Sequence, residues 1–498
     1  MKKRWQAFKD WVEDNRGIIM ILLVVSLLRV PNLFEPAWYG DEGIYLAVGQ
    51  GIKRGLVLYK EIFDHKPPII YWLAALSGEL LWFKVIGIIT NLLSIVVIHK
   101  ISDKLFSKKT ISLVVTSFFA LITTLPWIEG NLVNAELLFI LTTSLAVWIL
   151  IKKRMMNVKW ADMLLAGFVL GIGVLLKAPV LLDIAAISIW FIAFRKGLRI
   201  YWGEIWKVIV LGVGVLIPSA LAGVYFWMEG VLSEYLIAAW GQNFSYLSSW
   251  GGGEGLLTSD AEGGGLMMRV VVLIVWLLIV WWWTRKEKVK IRLVVVWFGM
   301  ALFGALLAGR PYPHYLIQIA PAGALLIGVI WETKNKGTVL SACLGLMLLV
   351  VAIFRYDFGF YKTVEYYKNF GRYVAGKIGQ AQYYDNFDWR VSRNYQIGKY
   401  IKERTDKNDR IYIWSDEPNI YVLSERSPAG KWVMAYHIDI FDKRDEVLEA
   451  IKEQKPKFIL WPKEGREFKA LASYRDAQYI QVEEFEGLKI YRRMSWKQ

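Results

Sequence analysis

Eleven apolar segments of roughly 15–22 residues are spread over the first 355 residues of this 498-residue chain. Each is about as long as an α-helix that crosses the hydrocarbon core of a bilayer. The segments cover residues 17–33, 80–99, 111–127, 134–151, 160–176, 179–194, 206–227, 268–284, 293–309, 314–331 and 338–354. Their number and length predict a mainly α-helical, polytopic membrane protein with a bundle of about eleven transmembrane helices.

The composition supports a membrane location and narrows the chemistry. Hydrophobic residues make up 55% of the chain and the mean hydropathy is +0.35, whereas soluble domains are about 45–50% apolar. The formal net charge is +16, but the basic residues gather at the ends of the apolar segments, so we expect no nucleic-acid partner. The single cysteine, Cys343, lies in an apolar segment, which excludes an internal disulfide framework.

Basic residues mark every second junction between the apolar segments. Cytoplasmic loops of membrane proteins carry an excess of Lys and Arg, so these clusters predict a cytoplasmic N-terminus and a C-terminal region outside the plasma membrane. The other junctions carry few basic residues, and residues 228–266 contain none. The clusters are Lys2/Lys3/Arg4/Lys9/Arg16, Lys100/Lys104/Lys108/Lys109, Lys152/Lys153/Arg154/Lys158, Arg195/Lys196/Arg199/Lys207, Arg285/Lys286/Lys288/Lys290/Arg292 and Lys334/Lys336.

The alternation of basic and neutral junctions also resolves three ambiguous stretches. Residues 160–194 have basic flanks at both ends, which requires two crossings joined by an outer turn at Lys177-Ala178-Pro179. The same argument makes residues 309–315 a second outer turn. Residues 69–79 are apolar, but a further crossing there would break the alternation, so we predict an interfacial or re-entrant helix.

The C-terminal part of the chain has a different character, with many charges and short patterned segments. Its periodicity predicts alternating helices and strands. The predicted elements are helices at 397–404 and 446–455, strands at 410–414 and 457–461, and a hairpin around Glu486-Gly487. We therefore predict a membrane domain, residues 1–355, with a catalytic outer loop at 34–68, followed by a small extracytoplasmic α/β domain, residues 356–498.

Two groups of charged residues stand in the predicted outer loop. Asp41-Glu42 follows the first apolar segment, and Asp64-His65-Lys66 precedes the return to the membrane. Charged groups beside hydrocarbon are costly to hold and commonly functional. Because nucleotides are cytoplasmic, an enzyme at the outer face needs a building block that is carried across the membrane on a lipid. A sugar linked to a polyprenyl phosphate meets that requirement.

Transfer of such a sugar needs a carboxylate, cations and a groove for the lipid. Asp41 is the candidate base for the acceptor hydroxyl, and Glu42 could hold the acceptor or help to hold a metal. The pair could instead cap the helix that starts near Gly43. The candidate cations for the donor phosphate are Lys66, His65, Lys177, Arg310 and His314. Lysines at such positions also snorkel to the membrane interface without any catalytic role.

Further residues complete the candidate site. Tyr312 lies between two of the cations and Glu136 begins the fourth apolar segment, so both are candidate substrate contacts. An aromatic belt residue and a helix-terminal charge are the alternatives for these two. A divalent metal is left open, because no ligand spacing here is diagnostic. Its candidate ligands are Asp41, Glu42, Asp64 and His65.

The first outer loop carries a pattern that resembles the corresponding loop of GT-C glycosyltransferases. The pattern is Arg29-x-Pro31, Asp41-Glu42-x-x-Tyr45, Gly55, Tyr59 and Asp64-x-Lys66-Pro67-Pro68. The closest groups are the protein O-mannosyltransferases of glycosyltransferase family 39 and the lipid A aminoarabinose transferases. Downstream elements of the same family resemble Gly171-x-Gly173, Lys177-x-Pro179 and His314-Tyr315 up to Pro321.

This resemblance covers roughly residues 20–330 and implies a GT-C fold. It also implies that Asp41 is the catalytic carboxylate and that Lys66 lies near the donor phosphate. Tyr45, Tyr59 and Asp64, which belong to the same pattern, become candidate substrate contacts.

The leading hypothesis is an integral-membrane, inverting glycosyltransferase that works at the outer face. It moves a sugar from a polyprenyl-phosphate donor to a hydroxyl on a protein, a glycan or a lipid. A ligase or polymerase of the O-antigen type is a second hypothesis, and it would depend on outer Arg and His residues more than on Asp41. A non-enzymatic transporter or flippase of lipid-linked sugars is a third, and it predicts ionisable groups near mid-membrane. The charged clusters lie instead at the ends of the apolar segments.

Overall fold

The computed structural model describes residues 1–152, 158–194, 202–242 and 265–494 of the chain. The chain divides into two compact units. We call them the helical unit, which is formed by residues 1–32, 87–223 and 247–363, and the mixed unit, which is formed by residues 33–86, 224–246 and 364–498. The mixed unit thus joins the predicted outer loop to the C-terminal tail, while the predicted domain boundary at 355/356 stays a proposal.

Long apolar helices account for most of the helical unit. Six described helices are long and apolar enough to cross a membrane, namely Arg16–Phe34, Leu80–Leu105, Trp202–Met228, Leu266–Trp283, Pro313–Glu332 and Lys336–Arg355. Shorter apolar helices are Lys109–Ile122, Ala135–Ile151, Trp160–Val174, Val180–Phe194 and Val289–Ala305. Each of the eleven predicted apolar segments therefore coincides with a helix. The chain is a multi-pass membrane protein, and the count of eleven crossings stays a prediction.

Two of the ambiguous stretches have the predicted local structure. Residues 160–194 form two helices, Trp160–Val174 and Val180–Ile189, with a turn through Lys177 between them. The apolar residues before Leu80 form a separate nine-residue helix, Ile69–Ser77. It ends at Gly78, whose φ of +72° lies in the left-handed region that glycine adopts without strain.

Close helix packing in the helical unit depends on small residues. A Cβ placed on Gly167 would lie 2.1 Å from the carbonyl oxygen of Leu211, and one on Gly171 would lie 2.4 Å from that of Val215. Helix Trp160–Val174 can therefore approach its neighbour at backbone distance. Such small-residue contacts are a common source of helix association in membranes, where lipid removes the hydrophobic driving force.

The mixed unit combines a five-stranded sheet with short helices. The strands are β1 (Arg410–Ile413), β2 (Ser427–Pro428), β3 (Phe458–Pro462), β4 (Tyr479–Phe485) and β5 (Leu488–Arg493), in the order β2-β1-β3-β5-β4. β1 is parallel to β2 and β3, whereas β5 is antiparallel to β3 and β4. The helices are Gly40–Lys53, Ile69–Ser77, Leu232–Leu236, Thr363–Val374, Gln380–Asp385, Arg390–Arg404, Asn419–Ser424, Ala435–Ile440, Arg444–Gln454 and Lys469–Gln478. The predicted α/β character of the tail is confirmed.

The predicted outer loop packs on the C-terminal tail within the mixed unit. The backbone N–H of Phe63 donates to the carbonyl of Lys431 at 2.9 Å, and the Phe63 ring lies 4.3 Å from the Trp432 ring. Helix Gly40–Lys53 meets the tail at Gly43, where a Cβ would lie 2.4 Å from the side-chain oxygen of Asn419. The tail therefore helps to fix the shape of the loop.

Candidate active site

Asp41 and Glu42 occupy the first turn of helix Gly40–Lys53 and point to different surroundings. The Asp41 side chain is 27% exposed and accepts a hydrogen bond from the hydroxyl of Tyr45 at 3.0 Å. Glu42 is buried. Because neighbouring helix positions differ by about 100°, two adjacent carboxylates need not serve one purpose. Asp41 is the one that a substrate can reach.

Glu42 belongs to a buried ionic group that the sequence reasoning missed. The Lys84 ammonium lies 2.9 Å from Glu42 Oε1 and 2.6 Å from Glu35 Oε2, and Glu35 accepts a hydrogen bond from the hydroxyl of Tyr366. The lysine was identifiable, because a lone lysine inside an apolar segment is costly without a partner. This geometry favours an anchoring role for Glu42 over direct contact with an acceptor or a metal.

Asp64, His65 and Lys66 converge beside Asp41. Lys66 Nζ lies 3.6 Å from Asp41 Oδ2 and 3.7 Å from Asp64 Oδ2, and 4.9 Å from the centre of the Tyr45 ring. His65 Nδ1 lies 3.1 Å from Asp64 Oδ1. The structure therefore brings the predicted base and a predicted phosphate cation into direct proximity within one unit.

Asp64 is fully buried and acts as the hub of this cluster. It accepts a hydrogen bond from the Tyr71 hydroxyl at 2.5 Å and lies 3.6 Å from His437 Nε2. Burial alone would raise the pKa of the Asp64 carboxyl, but the charges of Lys66 and His65 together hold that pKa well below its ordinary value. Asp64 is thus a fixed anion that orients the lysine.

His437 comes from the tail and was not predicted from the sequence. Its ring lies 4.9 Å from the His65 ring. Burial lowers the pKa of His437 to about 3, so its imidazole is neutral at ordinary pH. The signal that could have identified it is rarity, since the chain has four histidines.

Tyr59 holds the backbone beneath the lysine. It is buried and its φ is +71°, an uncommon value for a residue other than glycine. Its hydroxyl donates to the carbonyl oxygen of Lys66 at 2.8 Å, and the backbone N–H of Lys66 donates to the Tyr71 hydroxyl at 3.1 Å. Strained residues often occur at functional sites. Tyr59 therefore positions the backbone of Lys66, and its predicted contact with substrate stays a prediction.

The remaining predicted site residues lie in the helical unit. One ion pair joins two of them, and a second joins a predicted residue to Glu129, which was not among the predicted site residues. Lys177 is paired with Glu136, and its ammonium lies 4.2 Å from the centre of the Tyr315 ring. His314 is bonded to Glu129 and stacks on Tyr312 at 5.7 Å. Arg310, which is 6% exposed, lies on the loop just before these aromatic residues. Their participation in the same site as Asp41 stays a prediction.

Asp64, His65 and His437 form a buried group with the donor set of a metal site. Their ligand atoms lie within 4.8 Å of one another. One carboxylate and two imidazoles is a ligand set that zinc uses. Neither ring nitrogen of His437 has a hydrogen-bond partner among the described residues, which leaves both open to a ligand. The Lys66 ammonium, 3.7 Å from Asp64, opposes a cation there. The residues fit a zinc ion that would clamp the loop to the tail.

Zinc is expected to raise the melting temperature of the purified protein through this group. An ion present at 100 times its dissociation constant would add about 2.7 kcal/mol of stability if it binds only the folded state. Thermal unfolding in detergent after chelator treatment, with and without added Zn²⁺, measures the effect. His437→Ala should remove the shift, whereas His99→Ala should keep it, since His99 contacts Thr116 in the helical unit. An equal shift in the His437 variant would rule out this metal site.

Two family models match separate parts of the chain. Residues 65–227 match the family of the dolichyl-phosphate-mannose-protein mannosyltransferases. Residues 392–494 match the C-terminal domain of the competence-induced protein Ccs4. No curated protein matches the chain by sequence.

Two solved structures of one enzyme share the fold over nearly the whole chain. ArnT from Cupriavidus metallidurans bound to undecaprenyl phosphate superposes with a TM-score of 0.61 at 14% identity, covering 96% of this chain and 98% of that one. The apo state of the same enzyme gives a TM-score of 0.56 at 14% identity over 97% and 98%. The oligosaccharyltransferase of Archaeoglobus fulgidus gives 0.48 at 12% identity over 90% and 69%. The GT-C resemblance predicted from the first outer loop is confirmed, with a fold like that of ArnT.

Proposed function

We propose that this glycosyltransferase, which takes its sugar from a lipid phosphate, transfers that sugar to an acceptor hydroxyl with inversion at the outer face of the membrane. The match of residues 65–227 to the dolichyl-phosphate-mannose-protein mannosyltransferase family supports the proposal. The observation that carries the proposal is the distance of 3.6 Å between Lys66 Nζ and Asp41 Oδ2. This ion pair places a base and a phosphate-binding cation side by side, and each can act on one end of a displacement once the donor phosphate separates them.

Asp41 acts on the acceptor in this mechanism. Its carboxylate accepts the proton of the incoming hydroxyl as the oxygen attacks the anomeric carbon of the sugar. The bond between that carbon and the phosphate oxygen breaks, and its electron pair stays on the phosphate. A single displacement of this kind inverts the configuration at the anomeric carbon. Tyr45, which donates to Asp41 at 3.0 Å, fixes the carboxylate in orientation.

Lys66 acts on the leaving group. The polyprenyl phosphate gains negative charge as the bond to the sugar breaks, so a cation beside it stabilises the transition state more than the ground state. In the structure, Lys66 shares its charge between Asp41 and Asp64. Binding of the donor phosphate would draw the ammonium away from Asp41 and leave that carboxylate more basic. Asp64 and Tyr59 hold the lysine in place on the other side.

The helical unit offers a place for the lipid tail. An apolar cavity of about 270 Å³ lies between helices Leu266–Trp283, Val289–Ala305 and Lys336–Arg355. Trp276 and Phe298 line its wall, and Arg269 and Arg355 are also among the residues that line it. An apolar cavity of this kind suits part of an isoprenoid chain. Undecaprenyl phosphate, the ligand bound to the similar ArnT structure, carries such a chain.

The donor class is tested with purified protein and synthetic donors. We expect transfer from a sugar linked to a short polyprenyl monophosphate and none from the corresponding nucleotide sugar. Lys66→Gln should lower kcat on the order of 10²-fold, as removal of one charge-stabilising donor does in other enzymes. Lys60→Gln, which alters an exposed lysine of the same loop, should behave like the wild type. Turnover of the nucleotide sugar, or a normal kcat for Lys66→Gln, would contradict the proposal.

The orientation in the membrane follows from the basic junctions and is a separate prediction. A phosphatase reporter that is active only outside the cytoplasm should be active when fused after residue 360. A cytoplasmic reporter at the same place should be silent, because the Lys and Arg clusters predict a cytoplasmic N-terminus and an odd number of crossings. Activity of the cytoplasmic reporter alone would overturn the topology, and with it the outer-face mechanism.

The alternative hypothesis, a ligase of the O-antigen type, predicts that different residues carry the chemistry. It relies on outer Arg and His residues such as Arg310 and His314 and leaves Asp41 without a chemical role. The proximity of Asp41 and Lys66 favours the lipid-phosphate mechanism over that alternative. A dependence of the rate on Asp41 is the discriminating result.

A further inference from the structure

We propose that a small polar cavity of the mixed unit binds the acceptor and that the acceptor is a neutral carbohydrate. The inference rests on the proposed function, since it supplies the hydroxyl that Asp41 would deprotonate. The cavity has a volume of about 60 Å³, room for several water molecules at about 10–15 Å³ each. It is lined by residues before and at the start of helix Gly40–Lys53, on helix Arg390–Arg404 and at the start of helix Asn419–Ser424.

Two buried side-chain amides open into this cavity without a hydrogen-bond partner for their N–H groups. Asn394 is 6% and Asn419 is 5% exposed, and both line the cavity. Arg393 donates to the Asn394 oxygen at 3.1 and 3.2 Å, but within the described chain no acceptor receives the Asn394 amide hydrogens. The Asn419 amide likewise makes no hydrogen bond to any described residue. Amide hydrogens that face a cavity and have no protein acceptor are available to donate, so a ligand with oxygen acceptors suits them.

Carboxylates supply acceptors beside these donors. Asp416 is held by the backbone N–H of Tyr436 at 2.9 Å and by Arg466 at 2.7 Å. Glu417 is paired with Arg393. Each carboxylate oxygen has more than one lone pair, so both residues can still accept hydrogen bonds from a ligand. Amide donors and carboxylate acceptors side by side match the hydroxyl groups of a sugar ring, which both donate and accept.

The charged groups of the lining are already paired, which suits a neutral ligand. Asp388, Asp416 and Glu417 face the cavity together with a single cation, Arg390, and that cation is bonded to Asp388 at 2.7 and 2.9 Å. Asp416 and Glu417 are likewise paired, each with an arginine. The charges on the lining are therefore balanced, and these arginines already hold carboxylates that a phosphate or carboxylate of a glycan would have to displace. Trp38, which is half-buried at the same cavity, adds an apolar surface for the face of a sugar ring. A neutral carbohydrate fits all of these groups.

The cavity lies next to the predicted base. Gly40 is one of its lining residues, and Asp41 follows in the chain, one Cα step of about 3.8 Å further on. The cavity therefore reaches the backbone next to the predicted base. A sugar held by Asn394 and Asn419 must extend from the cavity toward the Asp41 carboxylate, which is not itself part of the lining. A peptide acceptor offers isolated Ser or Thr hydroxyls and would leave most of these polar groups unpaired. The geometry favours glycan over protein as the acceptor.

Saturation-transfer NMR on the full-length protein in detergent tests the proposal. The probes are a panel of neutral hexose and N-acetylhexosamine oligosaccharides, their phosphorylated derivatives and Ser/Thr peptides. We expect saturation of the neutral oligosaccharides alone. Asn394→Asp and Asn419→Asp keep the shape but remove two N–H donors, and each should weaken binding by about tenfold. Asn408→Ala, at an exposed asparagine of the same unit, is the matched control and should bind like the wild type.

Several outcomes would overturn the inference. The first is preferential binding of the peptides or of the phosphorylated glycans over the neutral oligosaccharides. The second is binding of the neutral oligosaccharides by the asparagine variants as tightly as by the wild type. The third is no binding of any probe. If the asparagine variants fail to fold, the inference is still tested by whether the wild type binds neutral glycans in preference to phosphorylated ones. Cleavage of the lipid donor by the wild type is measured separately. Donor cleavage without glycan binding would reject this inference alone, and glycan binding without donor cleavage would reject the proposed transferase chemistry alone.

Discussion

Asp41→Asn is expected to lower the transfer rate by about 10²–10⁴-fold, the usual contribution of a general base. The amide has nearly the shape of the carboxylate and can still accept the hydrogen bond from Tyr45, but it cannot take the proton of an acceptor hydroxyl. Expression and membrane insertion should be unchanged, because the side chain is partly exposed and its loss leaves no buried charge unpaired. The rate is measured with the purified variant and a short polyprenyl-phosphate sugar.

Two further variants make this result specific. Asp406→Asn changes an exposed aspartate of the same unit and should retain the wild-type rate. Glu42→Gln should mainly lower the melting temperature, because Glu42 contacts Lys84 rather than the place where a substrate enters. Wild-type turnover by Asp41→Asn would remove this residue from the mechanism. If Asp406→Asn lowered the rate by a similar factor, the loss of any negative charge from this unit would explain the effect, and Asp41 would have no specific role.

Helices were more predictable from the sequence than their arrangement. Hydropathy over a window of bilayer length gave every apolar helix, and the basic junctions separated Trp160–Val174 from Val180–Ile189. The order of the strands in the sheet could not be predicted. Strand β2 consists of Ser427 and Pro428 alone, which is too short to show an alternation of apolar and polar residues. Pairing between strands far apart in the chain depends on tertiary packing. A local sequence pattern therefore does not predict which strands pair.

The candidate site shows the same division between local and long-range information. Asp41 and Lys66 were predicted together because one loop carries both, and the structure places them 3.6 Å apart. His437 and Lys84 were missed, since each meets the loop from another part of the chain. A sequence marks costly groups such as a buried lysine, but the choice of partner is made by the fold. The chemical role predicted for Glu42 stays a prediction, and its ion pair with Lys84 could not be predicted from the loop.

This ion pair has a consequence for the position of the base. Lys84 holds Glu42 at 2.9 Å, and Glu42 follows Asp41 in the first turn of the same helix. Tyr366, from the segment after the last long helix, bonds the second carboxylate of the group, Glu35. The ionic group thus ties the start of helix Gly40–Lys53 to two other elements of the mixed unit. The site depends on it for the placement of Asp41.

Lys84→Met should destabilise the protein by about 3–5 kcal/mol, the typical cost of removing one partner from a buried ion pair. The methionine fills a similar volume but leaves Glu35 and Glu42 without the ammonium that neutralises them, although each is nearly inaccessible to water. Thermal unfolding in detergent measures the loss, and transfer activity should fall with it because Asp41 loses its support. Lys399→Met is the matched control: its ammonium lies 3.9 Å from Glu403 at the surface, and such pairs contribute about 0–1 kcal/mol.

A double variant tests whether the loss comes from uncompensated charge rather than from packing. Glu35→Gln combined with Lys84→Met removes one of the two carboxylates that the lysine neutralises. If charge is the cause, the double variant should be more stable than Lys84→Met alone, with a coupling energy within the range of about 0.5–3 kcal/mol seen for contacting residues. Additive losses would show that the lysine acts through its packed methylene chain, and the ionic anchor of the Asp41 helix would then have to be abandoned.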